Sequence, residues 1–397
     1  MNSSVVWVSK VGCEGPRSAA ALFNNRVERT AAMRFGFKSR PLLFLVLFGI
    51  VAFPLHAWAN GGTPLMWTTS LHLLFGNAII GVCEGVLLAW LFSLPERKCI
   101  ATMVVANYAS AWLGVLSIQG KIMRALPMDL TNEWMWFWIM VAATYCMTLL
   151  LEWPFIARCF RGTQDWFRRS VRASLVVQSV SYILLFGWYW LASDTSLYTR
   201  MDVVASADLS LPESVLVYFI SPADGNVYKR QLTDGSKQKI FELNSTNISD
   251  RLVVRPSTTD SNRWDLVARF YAERSRDEHF VDVQTNMMVE AATVDDYYVV
   301  YSLGSATNGH WKFWTSVGLK EGLWASNKTT GESVRFSYET FFGMWYVRNA
   351  VQLPSDKVLF QLGWDQICAF DPVRRRVGLL WKGRGPVPVI EKTHVEQ

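Results

Sequence analysis

Long uncharged stretches alternate with short charged segments in the first half of the chain. Between Pro41 and Pro95 the only Asp, Glu, Lys or Arg is Glu84. Because a helix needs about 20 apolar residues to cross a bilayer, these stretches predict an α-helical transmembrane bundle at residues 70–193. The four predicted spans are residues 71–94, 99–120, 134–156 and 173–193.

A shorter pattern precedes these spans at residues 33–59. A basic segment at 33–40 is followed by an apolar run at 41–55 and by small residues at positions 57 and 59. This order of segments is typical of a cleaved secretory signal. The alternative is a fifth, uncleaved transmembrane helix, against which Pro54 argues. Residues 1–32 form a polar leader, and Met33 is then a candidate for the true start of translation.

After about residue 210 the pattern changes to short alternating segments separated by turn residues, which predicts antiparallel strands. Asp224-Gly225 and Asp234-Gly235 are hairpin signals, because glycine accepts the positive φ angle of such turns. The sequence therefore predicts an all-β domain at residues 205–390. Its predicted strands are 215–220, 226–232, 237–243, 265–271, 280–284, 287–292, 320–326, 333–338, 357–362, 366–370 and 377–382.

Repeated units begin near residues 215, 266, 320 and 357. This half resembles β-propeller repeat proteins in its strand–turn–strand pattern at 218–231 and its Asp-Gln-Ile-Cys-Ala-Phe-Asp-Pro segment at 365–372. The Gly-Arg-Gly-Pro-Val-Pro segment at 383–388 is interpreted as a connection between blades. The resemblance implies about four blades, closed by pairing strands near 211–220 with strands near 377–390. It also implies binding of proteins, peptides or small ligands, with catalysis in some members. A partial propeller and an irregular sandwich are the alternatives.

Composition supports a membrane location for the first half. Hydrophobic residues make up 51% of the chain and charged residues 18%, which excludes a disordered or nucleic-acid-binding tail. Residues 1–199 carry 16 Lys or Arg against 9 Asp or Glu, and residues 200–397 carry 23 against 24, so the halves have net charges of +7 and −1. The positive charge therefore belongs to the half with the predicted spans, and we expect no nucleic-acid partner.

Lys and Arg are distributed unequally among the predicted loops. The loops at 95–98 and 157–172 hold seven of them, and the loop at 121–133 holds two. Because positively charged loops remain in the cytoplasm, the loop at 121–133 and everything after residue 193 are predicted to lie outside. This suits a multi-pass protein of the bacterial inner membrane with an extracytoplasmic C-terminal domain. Cys368 is the only cysteine in that domain, so an internal disulfide is excluded there.

Motifs of known chemistry do not occur in the sequence of the outer half. It contains no phosphate-binding Gly-Lys-Ser/Thr loop, no His-Glu-x-x-His, no paired Cys-x-x-Cys and no Gly-x-Ser-x-Gly. The pairs Asp277 with His279 and Asp295 with Asp296 are interpreted as solvated, and the basic run at 374–376 as a solvated strand edge. We therefore predict no catalytic residue, no metal site and no cofactor.

Glu84 lies near the middle of the first predicted span, where an acidic residue costs about 2.5–3.5 kcal/mol on the insertion scale. Three residues share its helix face: Asn77, Gly81 and Gly85. The Gly81-x-x-x-Gly85 spacing lets another helix come close. Polar residues at comparable depth in the other spans are Asn107, Tyr145 and Gln178. This intramembrane polar cluster is either a proton- or ligand-handling site or a structural set of hydrogen bonds between helices.

Two functions follow from these patterns. In the first, the helices anchor a β-propeller-like domain that binds an envelope protein or ligand, without catalysis. In the second, the helices form a small transporter component or membrane enzyme that works through Glu84, and the β-domain is accessory. The lipid bilayer is a partner in both.

Overall fold

The computed structural model describes residues 75–114, 126–192, 201–233, 236–260, 262–270, 279–291, 309–316, 322–340 and 343–391. The predicted leader and signal, residues 1–59, lie outside the described residues. Four α-helices come first and β-strands in several sheets follow. The β-rich C-terminal part is therefore confirmed.

The helices follow the uncharged stretches of sequence and together form the helical region. They are α1 (Asn77–Phe92), α2 (Glu96–Gly114), α3 (Glu133–Cys159) and α4 (Trp166–Ala192). Helix α1 ends at Ser93, which has a left-handed φ angle of 54°, and Pro95 prevents the helix from continuing. Helices adjacent in sequence pack together, and α1 also packs against α4.

Two of the four described helices are long and apolar enough to cross a membrane, Glu133–Cys159 and Trp166–Gly187. The prediction of four spans is therefore not supported. Helix α1 has 16 residues, about 24 Å at 1.5 Å per residue, which is less than a hydrocarbon core of about 30 Å. Helix α2 begins with three charged residues at 96–98, and its described part ends at Gly114.

Eighteen strands are described after the helices. In chain order they are β1 (Asp202–Val203), β2 (Val215–Ile220), β3 (Val227–Gln231), β4 (Lys237–Phe241), β5 (Arg251–Pro256), β6 (Trp264–Phe270), β7 (His279–Met287), β8 (Val289–Ala291), β9 (Trp311–Ser316), β10 (Gly322–Asn327), β11 (Ser333–Phe336), β12 (Tyr338–Thr340), β13 (Gly343–Trp345), β14 (Val347–Leu353), β15 (Lys357–Leu362), β16 (Gln366–Asp371), β17 (Arg376–Lys382) and β18 (Arg384–Glu391).

These strands form five sheets, none of which closes on itself in the described part of the chain. Sheet A has the order β4-β3-β2-β18-β8, sheet B is β5-β6-β7, sheet C is β11-β10-β9, sheet D is β12-β13, and sheet E is β1-β17-β16-β15-β14. All neighbours are antiparallel except β1 and β17, which are parallel.

Sheet A is covered on both faces. Tyr218 and Ile220 of β2 pack into a core shared with sheet B, whereas Val217 and Phe219 pack into a core shared with sheet E. Successive side chains of a strand point to opposite faces, so both faces of β2 are covered, and only Leu216 is half-buried. Sheet E in turn shares a core with sheet C. The described sheets therefore stack in the order B, A, E, C.

The last strand completes the first sheet. Residues 383–388 are predicted by sequence to be a connection, but the structure places a strand, β18, at Arg384–Glu391. In this strand Val387 pairs with Tyr218 and Ile390 with Val215. The pairing of the two ends of the β-domain, implied by the resemblance to propellers, is present.

The hairpin between β2 and β3 turns at Asp224-Gly225, as the sequence predicts. Gly225 has a φ angle of 69°, and a Cβ there would collide with the backbone of Ser245. Burial alone would raise the pKa of Asp224, but hydrogen bonds from Tyr228 and Asn226 hold it below its usual range. The second Asp-Gly pair, at 234–235, lies outside the described residues.

Truncation tests the pairing of the two ends. A chain that stops at Lys382 lacks β18, which removes the partner of β2 and two buried valines, Val387 and Val389. We expect the β-domain to lose its cooperative thermal transition and its resistance to trypsin. A chain that stops at Glu391 keeps all of β18 and is the control. A cooperative melt in the shorter chain would show that the ends do not depend on each other.

Candidate functional site

The helical region buries several polar side chains and exposes many large apolar side chains. Its large exposed side chains include Leu150, Ile183 and Phe75, at 75%, 69% and 63% exposure. Only 11% of the most apolar stretch of α3 and 28% of that of α4 is buried. Its buried polar residues are Asn77, Glu84, Asn107, Glu133, Glu152, Ser170, Ser174 and Gln178. So many exposed apolar side chains are unlike the surface of a water-soluble helical domain.

Glu84 is buried where three helices meet. Asn107 on α2 donates from Nδ2 to Glu84 Oε2 at 2.6 Å, and the hydroxyl of Ser181 on α4 donates to Oε1 at 2.5 Å. The second hydrogen of the Asn107 amide bonds to the carbonyl of Met103 at 3.0 Å. Both carboxyl oxygens therefore have neutral donors, which offset part of the cost of removing the group from water.

Glu152 on α3 is a second buried carboxyl group in the same interior, at 1% exposure. Ser110 Oγ on α2 lies 2.6 Å from Glu152 Oε1, and Gln178 on α4 donates from Nε2 to Oε2 at 2.6 Å. Glu152 is not among the predicted cluster residues, because it falls near the end of the predicted span at 134–156. A lone acidic residue in an apolar run was the same signal that selected Glu84.

Gln178 connects the two carboxyl groups. Its amide bonds to Glu152 and also interacts with Glu84, and the two carboxyl groups interact with each other electrostatically. Among the described residues, no Lys, Arg or His acts on either group. Two negative charges without a cation in an apolar interior would repel each other strongly, so this pair is chemically suited to hold a proton.

Gly81 and Gly85 let α1 approach α2 closely. A Cβ on Gly81 would lie 2.6 Å from Val104 Cα, and one on Gly85 would collide with Ile100. The close approach brings Asn107 within reach of Glu84. The spacing of the two glycines therefore has the geometric role in helix packing that the sequence pattern indicates.

Two of the predicted cluster residues lie outside the hydrogen bonds of the carboxyl pair. The hydroxyl of Tyr145 bonds to Ser179 Oγ at 2.8 Å, and its ring contacts Tyr182 at a centroid distance of 5.1 Å. Asn77 is buried, and its Nδ2 has no hydrogen-bond partner among the described residues. Glu152 supplies the second carboxyl group of the cluster, and Ser110 and Ser181 supply hydroxyl groups that bond to the two carboxyl groups.

The segment between α2 and α3 docks on the β-domain. We call residues 126–132 the docking loop. Its Leu130 is 1% exposed and packs in the core shared by sheets C and E, against residues such as Phe313 and Phe370. The backbone N–H of Leu130 donates to Gln366 Oε1 at 2.7 Å. A loop of the helical region thus supplies part of the core of the β-domain.

Polar contacts surround this apolar anchor. Lys382 Nζ lies 3.6 Å from Asp129 Oδ2, and the hydroxyl of Tyr338 donates to Glu133 Oε2 at 3.4 Å. Burial alone would raise the pKa of Asp129, but hydrogen bonds from Thr131 and the charge of Lys382 hold it below its usual range. The docking loop is therefore held by both packing and charge.

The described part of the β-domain contains fewer candidate catalytic or metal-binding groups. The described residues contain no group of three or more His, Cys, Asp or Glu that could hold a metal ion. His279 and His310 are exposed, and Arg375 forms a surface ion pair with Glu332 at 3.1 Å. Asp277 and the pair at 295–296 lie outside the described residues.

Comparison with models of known protein families and with curated protein sequences gave no match.

Substitution of Glu84 tests the hydrogen bonds of the cluster. Glu84→Gln keeps one acceptor oxygen, for Asn107, and its new amide N–H can donate to the hydroxyl of Ser181, so we expect wild-type abundance and thermal stability in detergent. Glu84→Leu leaves both donors buried without a partner, at about 1–3 kcal/mol each. We expect this variant to unfold at lower temperature, as measured by the loss of helical circular dichroism. Equal stability of the two variants would show that these hydrogen bonds do not hold the helices together.

Substitution of Leu130 tests the docking loop. Leu130→Ala leaves a cavity in the core of the β-domain, which we expect to lower its free energy of unfolding by about 2–5 kcal/mol. Met128→Ala, in the same loop at a half-buried position, is the control and should have a much smaller effect. The unfolding temperature of the β-domain in the detergent-solubilised full chain measures both. Equal effects would contradict the docking of Leu130.

Proposed function

We propose that the protein is a multi-pass plasma-membrane protein, of the bacterial inner membrane, whose helices hold a β-propeller-like domain outside the cytoplasm, where it binds an envelope protein or ligand. No catalysis is assigned to the β-domain. The observation that carries this proposal is the docking of Leu130 in the core of the β-domain. This contact fixes the domain against the end of the helical region and so presents it from the membrane.

The apolar exterior supports embedding in a bilayer. Core helices of soluble proteins are buried, whereas α3 and α4 expose most of their apolar stretches. Trp134 and Trp138 near the start of α3 are 48% and 47% exposed, as suits indole rings at a membrane–water interface. Lipid is the solvent that matches such a surface, and α1 and α2 are held in it by their contacts with the longer helices.

The positions of the charges support the orientation. Arg169 at the start of α4 donates to the carbonyl of Phe92 at the end of α1, at 3.3 Å, so these two ends meet. The same end carries the basic positions at 97–98, 158, 161, 168 and 172. The docking loop and the β-domain lie at the other end. By the positive-inside rule, the basic end is cytoplasmic and the β-domain is outside.

The stacking of the sheets supports a propeller-like arrangement. Along the chain, sheet A comes first, followed by B, C and then E. In the packing order B, A, E, C, sheet E lies beside sheet A, so the last of these sheets packs against the first. Strand β18 joins the first sheet, which is how propellers hold their ends together. Domains of this kind bind partners through the turns between strands.

One labelling experiment in intact cells tests both location and binding. Val373 lies in the turn between β16 and β17 at 67% exposure, and Arg168 lies at the basic end. A membrane-impermeant thiol reagent carrying a photo-crosslinker should react with Val373→Cys, and illumination should then give a discrete adduct with another envelope component. Arg168→Cys should not react. The unmodified chain is the control, since burial raises the pKa of the Cys368 thiol and keeps it unreactive.

Two outcomes would contradict the proposal in different ways. Reaction of Arg168→Cys from outside would reverse the orientation. Reaction of Val373→Cys without any adduct, at this position and at Thr131→Cys in the exposed part of the docking loop, would leave the orientation intact and remove the binding role.

A further inference from the structure

The hydroxyl of Ser110 has two acceptors within reach and one hydrogen. Its Oγ lies 3.1 Å from the carbonyl oxygen of Asn107 and 2.6 Å from Glu152 Oε1. If Glu152 is ionised, only one of these acceptors receives the hydrogen. If Glu152 is protonated at Oε1, it donates to Ser110, and Ser110 donates to Asn107. The protonated form therefore satisfies every atom of this chain of hydrogen bonds.

The surroundings of the pair also favour retention of a proton. The titratable groups that act on it from the packed helices are Cys83 on α1 and Tyr182 on α4, with Tyr145 of α3 beside Tyr182. All of these are neutral or negative, and the described part of α2 contributes the neutral Asn107 and Ser110. Without a cation, a single proton is the least costly way to reduce the charge of two neighbouring carboxyl groups.

Two further polar groups extend from the pair in opposite directions. Ser174 lies one turn before Gln178 on α4, towards the basic end, and Asn77 lies two turns before Glu84 on α1, towards the β-domain. Both are buried, at 3% and 1% exposure. Ser174 Oγ and Asn77 Nδ2 have no hydrogen-bond partner among the residues that the structure describes. Buried polar groups without protein partners are the usual contacts of buried water.

We propose that Glu84 and Glu152, bridged by Gln178, form one proton-binding site, and that Ser174 and Asn77 contact the water molecules that exchange the proton with the site in the two directions. In each exchange the O–H bond of one carboxylic acid breaks, a water molecule accepts the proton as hydronium, and a carboxylate remains. The reverse step reloads the site. The helical region then moves protons, in addition to anchoring the β-domain, and the inference rests on the membrane location proposed above.

Dicyclohexylcarbodiimide tests the site, because this apolar reagent forms a stable adduct with protonated carboxyl groups in apolar surroundings. The full chain in detergent micelles is treated at ~pH 7, and adducts are located by mass spectrometry. We expect modification at Glu152 or Glu84 and none at the exposed Glu96. Modification should fall as the pH is raised. The experiment is independent of orientation in the membrane, so its failure is distinguishable from failure of the labelling in cells.

Paired variants separate a shared site from two independent groups. Glu84→Gln removes the neighbouring charge that favours the proton on Glu152, so modification of Glu152 above its titration midpoint should fall about 10-fold, equivalent to one pH unit. Glu152→Gln should do the same for Glu84. Thr163→Ala is the control, since its hydroxyl bonds to the backbone carbonyl of Phe160 at the basic end, and it should leave the modification unchanged.

Three results would overturn the proposal. The first is no adduct at either carboxyl group at any pH in a folded sample. The second is an unchanged yield at Glu152 in Glu84→Gln, which would make the two groups independent. The third is protection from the reagent by sodium ions at constant pH, which would identify a site for a metal cation instead of a proton.

Discussion

The cost of removing two carboxyl groups from water determines how the four helices are arranged. Neither Glu84 nor Glu152 can satisfy its oxygens from its own helix, so each draws its donors from two others. The result ties α1, α2, α3 and α4 together through neutral hydrogen bonds. The small side chains at Gly81 and Gly85 serve the same requirement, since a larger residue would move Asn107 away from Glu84.

Local patterns predicted much of the β-domain because strands and turns are local features. Strands β2 and β15 have the boundaries that alternation gives, and the turn at Asp224-Gly225 has the positive φ angle that favours glycine. Strand β14 was missed because a bulge interrupts its alternation and Asn349 takes a positive φ angle of 48°. Strand β18 was taken for a connection because its glycine and prolines are typical of turns, although a sheet tolerates them at a bulge.

The helical region was predicted less completely because hydropathy measures composition, not contacts. It located the four helices, but it counted as spans two of them that are too short or too polar in their described parts. Position near the middle of a span indicated Glu84. Hydropathy did not indicate Glu152, whose importance depends on which helices pack against it. Tyr145 was selected for its comparable depth and instead contacts Ser179 and Tyr182. Pairing between helices is a property of the folded chain, which a single sequence does not show.

The docking loop makes the order of synthesis matter. Leu130 leaves the ribosome long before its hydrogen-bonding partner Gln366, which is 236 residues further along the chain. The side chain of Leu130 therefore cannot be buried in this core until sheets C and E have formed. The helices are therefore synthesised before the β-domain can close its core around Leu130. Since α3 begins directly after the loop, at Glu133, any later displacement of the β-domain pulls directly on the helix that carries Glu152.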